Sequence, residues 1–170
     1  TTIGSAAFQG CESLTSVELP NNNISFGQNV FTDTSITEIV IPDAVTYVGP
    51  SAFNGMPKLV KIVFGTGVVE MSSNTFGSCP ILKTVMFRCP NAPTLSNNAF
   101  PNDATRTSGL KATDKVMYAV SGASGYEEGE WRELHVEGVN PTKGWVPFEL
   151  RYISLADMVS EISTYGLRKP

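Results

Sequence analysis

The sequence predicts a repeat solenoid: a right-handed array of ~23-residue units with short strands, closed by a C-terminal capping unit and followed by a tail helix. Three observations carry the prediction. A small residue followed by Phe recurs at Ala7-Phe8, Ala52-Phe53 and Ala99-Phe100, with Val30-Phe31 and Thr75-Phe76 as variants, and these phenylalanines lie 23, 22, 23 and 24 positions apart. After each of the first four comes an aliphatic run on one plan: Leu14-x-x-Val17-x-Leu19, Ile36-x-x-Ile39-x-Ile41, Leu59-x-x-Ile62-x-Phe64 and Leu82-x-x-Val85-x-Phe87. Aligning the units also gives further columns, such as Ile3, Phe26, Val48, Met71, Leu95 and, one residue on, Gly4, Gly27, Gly49, Ser72, Ser96.

Each element of the unit has a physical reason. In the aliphatic run Val17 and Leu19 alternate with Ser16 and Glu18, a period of two that buries one face of a strand and leaves the other open. Pro20, Pro42 or Gly65 follows the run; proline removes a backbone donor and stops the strand. The glycine ahead of Phe suits a tight turn needing unusual backbone angles. The Phe column enters the core, and Cys11, Thr34, Met56 and Cys79 fill a packing column three residues later. Like residues should stack at roughly the ~4.8 Å strand spacing. A single unit cannot bury its apolar face, so several must stack.

The pattern breaks in the fourth unit, where Arg88-Cys89-Pro90-Asn91-Ala92-Pro93 replaces the simple stop. Pro101 to Lys115 reads as an irregular connection, and Val116 to Val120 as a strand. Tyr126 to Leu134 reads as a short helix covering the open end, with Trp131 packed on it, as terminal repeats must present a covered outer face. Asn140-Pro141 and Trp145-Val-Pro147 read as a linker. From Ser154 to Tyr165 a helix is expected, with Leu155, Val159 and Ile162 on one face and Met158 beside them. Ser154 is its cap, Asp157 the capping-box acid and Gly166 its stop. This helix either folds back on the repeats or docks on something else; folding back is favoured because apolar faces usually find their own protein first. The organisation is therefore 1–106 repeats (the first partial), 107–139 capping unit, and 140–170 linker and amphipathic tail helix. The chain opens in mid-repeat at Ile3-Gly4, so further sequence or a partner is expected before it.

The stretch from Ile3 to Pro20, Ile-Gly-x-x-Ala-Phe-x-x-Cys-x-x-Leu-x-x-Val-x-Leu-Pro, resembles the BspA-like class of leucine-rich repeats. The likeness covers about residues 1 to 100, and Val116 through Trp131 resembles that family's closing unit. The resemblance implies a leucine-rich-repeat array in a surface-exposed or secreted protein, often linked to adhesion, and implies no enzyme.

Composition excludes several classes of function. The chain has 170 residues, 41% hydrophobic and 16% charged, with a net charge of −4. Its densest basic spot is Arg168-Lys169, which argues against nucleic acid, whose phosphates need clustered Lys and Arg. No apolar window of ~18 residues exists to span a membrane. Cys11 and Cys79 share a column three units apart, too far for a disulfide, and read as buried structural thiols. Cys89 lies outside the column and pairs with Cys79 only if the widened turn folds inward. The single histidine, His135, has no second ligand or nucleophile near it in sequence, so neither a metal site nor a catalytic pair is supported. Glu127, Glu128, Glu130 and Glu133 surround Trp131 as a solvated face and lack the spacing of a calcium loop. Gly65-Thr66-Gly67 lacks the helix and third glycine of a dinucleotide site. Asn23-Ile24-Ser25 is an acceptor sequon that matters only in a glycosylating host. No cofactor and no metal are expected.

The open strand face remains. Alternation gives two outward rows: Ser16, Glu38, Lys61, Thr84, and Glu18, Val40, Val63, Met86. The apolar members of the second row reflect either strand propensity or a binding stripe on a preformed sheet. The expected function is a non-enzymatic extracellular or cell-surface recognition module that binds a protein or glycan. Its partner-binding residues are Glu18, Glu38, Val40, Lys61, Val63 and Met86. The alternative is an assembly subunit that docks through its uncapped first repeat, end to end, or through its tail helix.

Overall fold

A computed structural model describes residues 1–96, 99–100, 115–126 and 149–164, with the side chains of 161–164 left aside. The expectations for Pro101 to Asp114, the 127–134 helix, Trp131, His135, the 140–147 linker and Gly166 lie outside the described residues. The fold is a stack of parallel rungs. One ladder joins β3 (Glu38–Ile41), β5 (Lys61–Phe64), β7 (Thr84–Phe87), β9 (Val116–Val120) and β10 (Glu149–Ile153) into a five-stranded parallel sheet, in the order β10-β9-β7-β5-β3. A second ladder joins β4 (Tyr47–Val48), β6 (Glu70–Met71) and β8 (Thr94–Leu95), and β1 (Thr2–Ile3) pairs with β2 (Ser25–Phe26). The sequence columns are the registers: Ile3 faces Phe26, Val48 faces Met71, and Met71 faces Leu95. The sheet continues beyond the repeats: β9, the strand expected at Val116 to Val120, pairs with β7, and β10, in the stretch 140–170 read as linker and tail helix, pairs in turn with β9 and forms the edge. A helix, α1 (Leu155–Thr164), follows β10.

The core lies between the two ladders, and aromatic stacks run through it. Phe8, Phe31, Phe53 and Phe76 follow one another with ring centroids 5.5, 5.8 and 5.9 Å apart and interplanar angles of 3°, 3° and 19°. Phe100 extends this column 4.8 Å beyond Phe76. A second column runs from Phe64 to Phe87 at 4.9 Å and on to Tyr126 at 5.7 Å. Tyr126 is fully buried, and its hydroxyl donates to the Cys89 carbonyl at 3.5 Å. Each such ring removes enough apolar surface from water to contribute ~1.5–3 kcal/mol.

Left-handed backbone brings each Phe inward. Ala6, Asn29, Ser51 and Asn74, each two residues before a ladder Phe, have φ of 58°, 55°, 53° and 55°. Gly10, Asp33 and Gly55, two residues after, have φ of 73°, 58° and 66°. The expectation had placed the unusual angles at the glycine column instead. Gly27 and Gly49 are not left-handed; they are needed because the preceding rung passes too close. A Cβ on Gly27 would lie 2.5 Å from the Ser5 nitrogen, and one on Gly49 would run into the Phe26 carbonyl oxygen. Backbone bonds tie the rungs across these turns: Ala6 N to Gln28 O at 2.8 Å, Phe8 N to Val30 O at 2.9 Å and Phe53 N to Thr75 O at 3.1 Å.

The first rung departs from expectation. Leu14 to Leu19 is not part of a strand, and Val17 and Leu19 are half-buried against the core. Among the described residues a rung packs on one side of it, and its apolar side chains are less buried than those of the inner rungs. For the same reason Cys11, expected among the buried thiols, is exposed, whereas Thr34, Met56 and Cys79 in its column are buried.

Candidate binding surface

The outward rows are in register as read from the alternation. Glu38 faces Lys61 and Lys61 faces Thr84; Val40 faces Val63 and Val63 faces Met86. The second row continues through Tyr118 to Arg151. Exposure along the rows is not what alternation suggests. Glu18 is exposed and Val40 half-buried, while Val63 and Met86 are both 0% exposed. Lys61 is buried at 3%, and Glu38 is half-buried. Of the six expected binding residues, only Glu18 is fully open to solvent.

For Val63 and Met86 the cause is α1, which folds back on the sheet. Met158 is fully buried against Val63 and Met86, and Val40, Tyr118, Val120 and Ile153 pack around the three. The sheet is thereby covered on both faces at β5 and β7 but not at β3, and the strand patterns record this directly. All four residues of β5 are buried and three of four in β7, whereas β3 alternates. Parallel strands covered on both faces are apolar without alternation, and Ile62-Val63-Phe64 and Val85-Met86-Phe87 are unbroken apolar trios. Ile39-Val40-Ile41 in β3 is an equally unbroken apolar trio, so the trios alone do not mark which strands are covered.

The helix begins as its sequence dictates. Ser154 Oγ accepts from Asp157 N at 3.1 Å and donates to Asp157 Oδ2 at 2.6 Å, a Ser-x-x-Asp version of the capping box. Of the expected face, Leu155 is 46% exposed and Val159 half-buried, Ile162 lies outside the described side chains, and Met158, expected beside that face, is fully buried. Only Ser154 separates the end of β10 from the start of α1, and Met158, about a turn into the helix, meets Val63 and Met86.

Electrostatics on this face are modest. Glu38 Oε2 is buried without a hydrogen-bond partner, and burial raises the Glu38 carboxyl above its ordinary range, partly offset by the charge of Lys61. At the far edge Arg151 grips Glu149 through two bonds of 2.8 and 2.7 Å, which holds the Glu149 carboxyl below its usual range. Arg88, read from sequence as a break in the pattern, reaches the Asp43 carboxylate at 3.1 Å, and Asp43 Oδ1 also accepts from Thr66 N at 2.9 Å. These bonds order the turns after the strands. Cys79 and Cys89 are free and donate to the Phe53 and Gly65 carbonyls at 3.0 and 3.1 Å, so the widened turn forms no disulfide. Among the described residues no group of three His, Cys, Asp or Glu could hold a metal ion, and no helix is long and apolar enough to cross a membrane.

Short parallel strands stacked at a fixed period, with side-chain ladders between them, define a repeat solenoid of the interaction-scaffold class. The chain belongs to the BspA type leucine-rich-repeat family, whose repeat it matches in six copies across residues 1–106. No curated protein and no solved structure matches the chain. Leucine-rich-repeat domains generally mediate protein interactions and are generally not enzymes, and those of the BspA type are typically found in surface or secreted proteins.

Proposed function

We propose that the chain is a non-enzymatic recognition module, acting at a cell surface or outside the cell, which binds a protein or glycan in an adhesion-type role. The supporting observation is a graded exposure along one column of the repeat: Glu18 open in the first rung, outside the sheet, Val40 half-buried, Val63 and Met86 under α1. Contact is made first at the uncovered end, by Glu18, Glu38 and Val40. Lys61 extends the row beside them, and Val63 and Met86 join the surface only when the helix is away. Binding of the purified chain to glycan arrays and extracellular proteins supplies a partner for the test. Glu18→Lys with Val40→Ser should then lower affinity at least ~10-fold, equivalent to about 1.4 kcal/mol. An unchanged affinity would refute the site.

The first rung favours a second reading, assembly through that end. Phe8, Leu14, Val17 and Leu19 are half-buried there, whereas Phe31, Ile36, Ile39 and Ile41 in the next rung are buried, and another solenoid end would cover them. Light scattering across a concentration series decides this reading; a monomer throughout rejects it.

A further inference from the structure

We propose that β10 is the dimer edge of this protein: two copies of the chain pair β10 with β10 antiparallel, about a two-fold axis through Leu150, and join their five-stranded sheets into one. β10 is the last strand of its sheet, with β9 on one side and no described strand on the other. Glu149 N donates to the Lys115 carbonyl on the β9 side, and the Ile153 carbonyl accepts from Ser121 N, both at 2.8 Å. Backbone groups alternate in direction along a strand, so the N–H and C=O of Leu150, one residue on from Glu149, point to the open edge. Such an edge is a template for another strand. The helix leaves it open, since α1 starts at the end of β10 and runs inward, where Met158 meets Val63 of β5 and Met86 of β7. The side chains of Glu149 and Arg151 are 60% and 49% exposed, and Tyr152 is 39% exposed.

The charges select the occupant. Charged side chains on an edge strand usually deter pairing, but Glu149-Leu150-Arg151 is self-complementary. With the axis through Leu150, each Glu149 lies opposite the Arg151 of the other copy, on the same face of the joined sheet. These are non-hydrogen-bonded positions, where opposed Cα atoms are ~4.5 Å apart and side chains come closest. Opposite charges so placed stabilise an antiparallel pair, and like charges destabilise it. Arg151 already grips Glu149 within one copy, at 2.8 and 2.7 Å; pairing turns two such couples into a ring of alternating charge. Other registers fail. Sliding one copy by two residues opposes like charges, Arg151 with Arg151 in one direction and Glu149 with Glu149 in the other. Sliding by four towards the helix runs the pairing into Ser154, where the chain leaves the sheet for α1. A pair related by a two-fold axis closes on itself, so association stops at the dimer. The strand is five residues long, so the dimer forms and dissolves with concentration.

The test compares the full chain as wild type, as Glu149→Arg, as Arg151→Glu and as the double exchange of both, by sedimentation equilibrium. Each single exchange opposes like charges across the axis and should weaken the dimer at least ~10-fold. The double exchange restores the pattern with its signs reversed and should return to within about threefold of wild type. A wild-type chain still monomeric at about 1 mM, single variants that dimerise as well as wild type, or a double exchange no better than the singles overturns the proposal. Amide hydrogen exchange of the wild type needs no variant. From dilute to concentrated solution the Leu150 N–H should exchange at least ~10-fold more slowly, whereas that of Arg151, already turned to β9, should not change. No slowing at Leu150 overturns the pairing. Stacking of first rungs is indifferent to these charges, so a dimer that ignores all three variants belongs to that end of the stack, and the two readings fail separately.

Discussion

Cys11, Cys79 and Cys89 show how position in the stack sets the chemistry of one residue type. Burial pushes the Cys79 thiol up to about 12 and the Cys89 thiol up to about 11, and both are closed to solvent. Cys11 sits in the same column as Cys79 but in the first rung, and is exposed. A thiol reagent should therefore titrate one cysteine in the native chain and three after denaturation; fast reaction of a second native thiol would contradict the packing. Glu38 gives a pH signature. Its raised pKa means that the folded chain holds this proton more tightly than the unfolded one, whose value is near 4.5. Its contribution to stability accordingly falls as pH rises from about 4.5 towards neutrality. Glu38→Gln should flatten that decline and leave the chain no less stable at pH 7. Urea midpoints measured from pH 4 to 7 on both forms check it, and a steeper decline in the variant would reverse the sign.

At the scale of elements, the units are held by backbone that approaches closely as much as by side chains that match. Gly49 makes the point, because a Cβ there meets the Phe26 carbonyl, whereas Gly4 in the same column has nothing within 4 Å of its virtual Cβ. Gly49→Ala should destabilise by about 1–3 kcal/mol, the usual penalty for overpacking. Gly4→Ala should stay within about 0.5 kcal/mol of wild type, as a surface change does. Chemical denaturation of the pair reads the difference, and equal effects would show that the column serves backbone angles after all. The glycine column was legible in the sequence; its reason was not, because close approach belongs to two rungs and the sequence displays one at a time. The left-handed positions were missed for another reason. Ala6, Asn29, Ser51 and Asn74 form no single residue type, so no column advertised them.

For the whole molecule, stability is a sum over neighbouring rungs, and position along the stack should grade the effect of one substitution. Phe53 is stacked between Phe31 and Phe76 and fully buried, whereas Phe8 has a ring on one side only among the described residues and is half-buried. Phe53→Ala should cost about 3–5 kcal/mol, the range for a buried aromatic, and Phe8→Ala clearly less. Equal losses in denaturant midpoints would mean that the first rung is packed as tightly as the inner ones. Along the same stack Glu18 is exposed at the first rung, whereas Val63 and Met86 lie under α1.

By itself the sequence determined the period, the ladders and the strand registers, because each is set by side-chain type recurring within a unit and between adjacent units. Val116 to Val120 as a strand and Ser154 as a helix cap were equally local, and both stand in the structure, although β10 and not that strand forms the edge of the sheet. Tertiary structure alone decided which side of the sheet was open. Alternation states that Val63 and Met86 leave one face, but whether that face meets water depends on a helix more than 60 residues further along the chain. The docking of Met158 on that face is a matter of relative free energy between distant surfaces, and no local pattern encodes it.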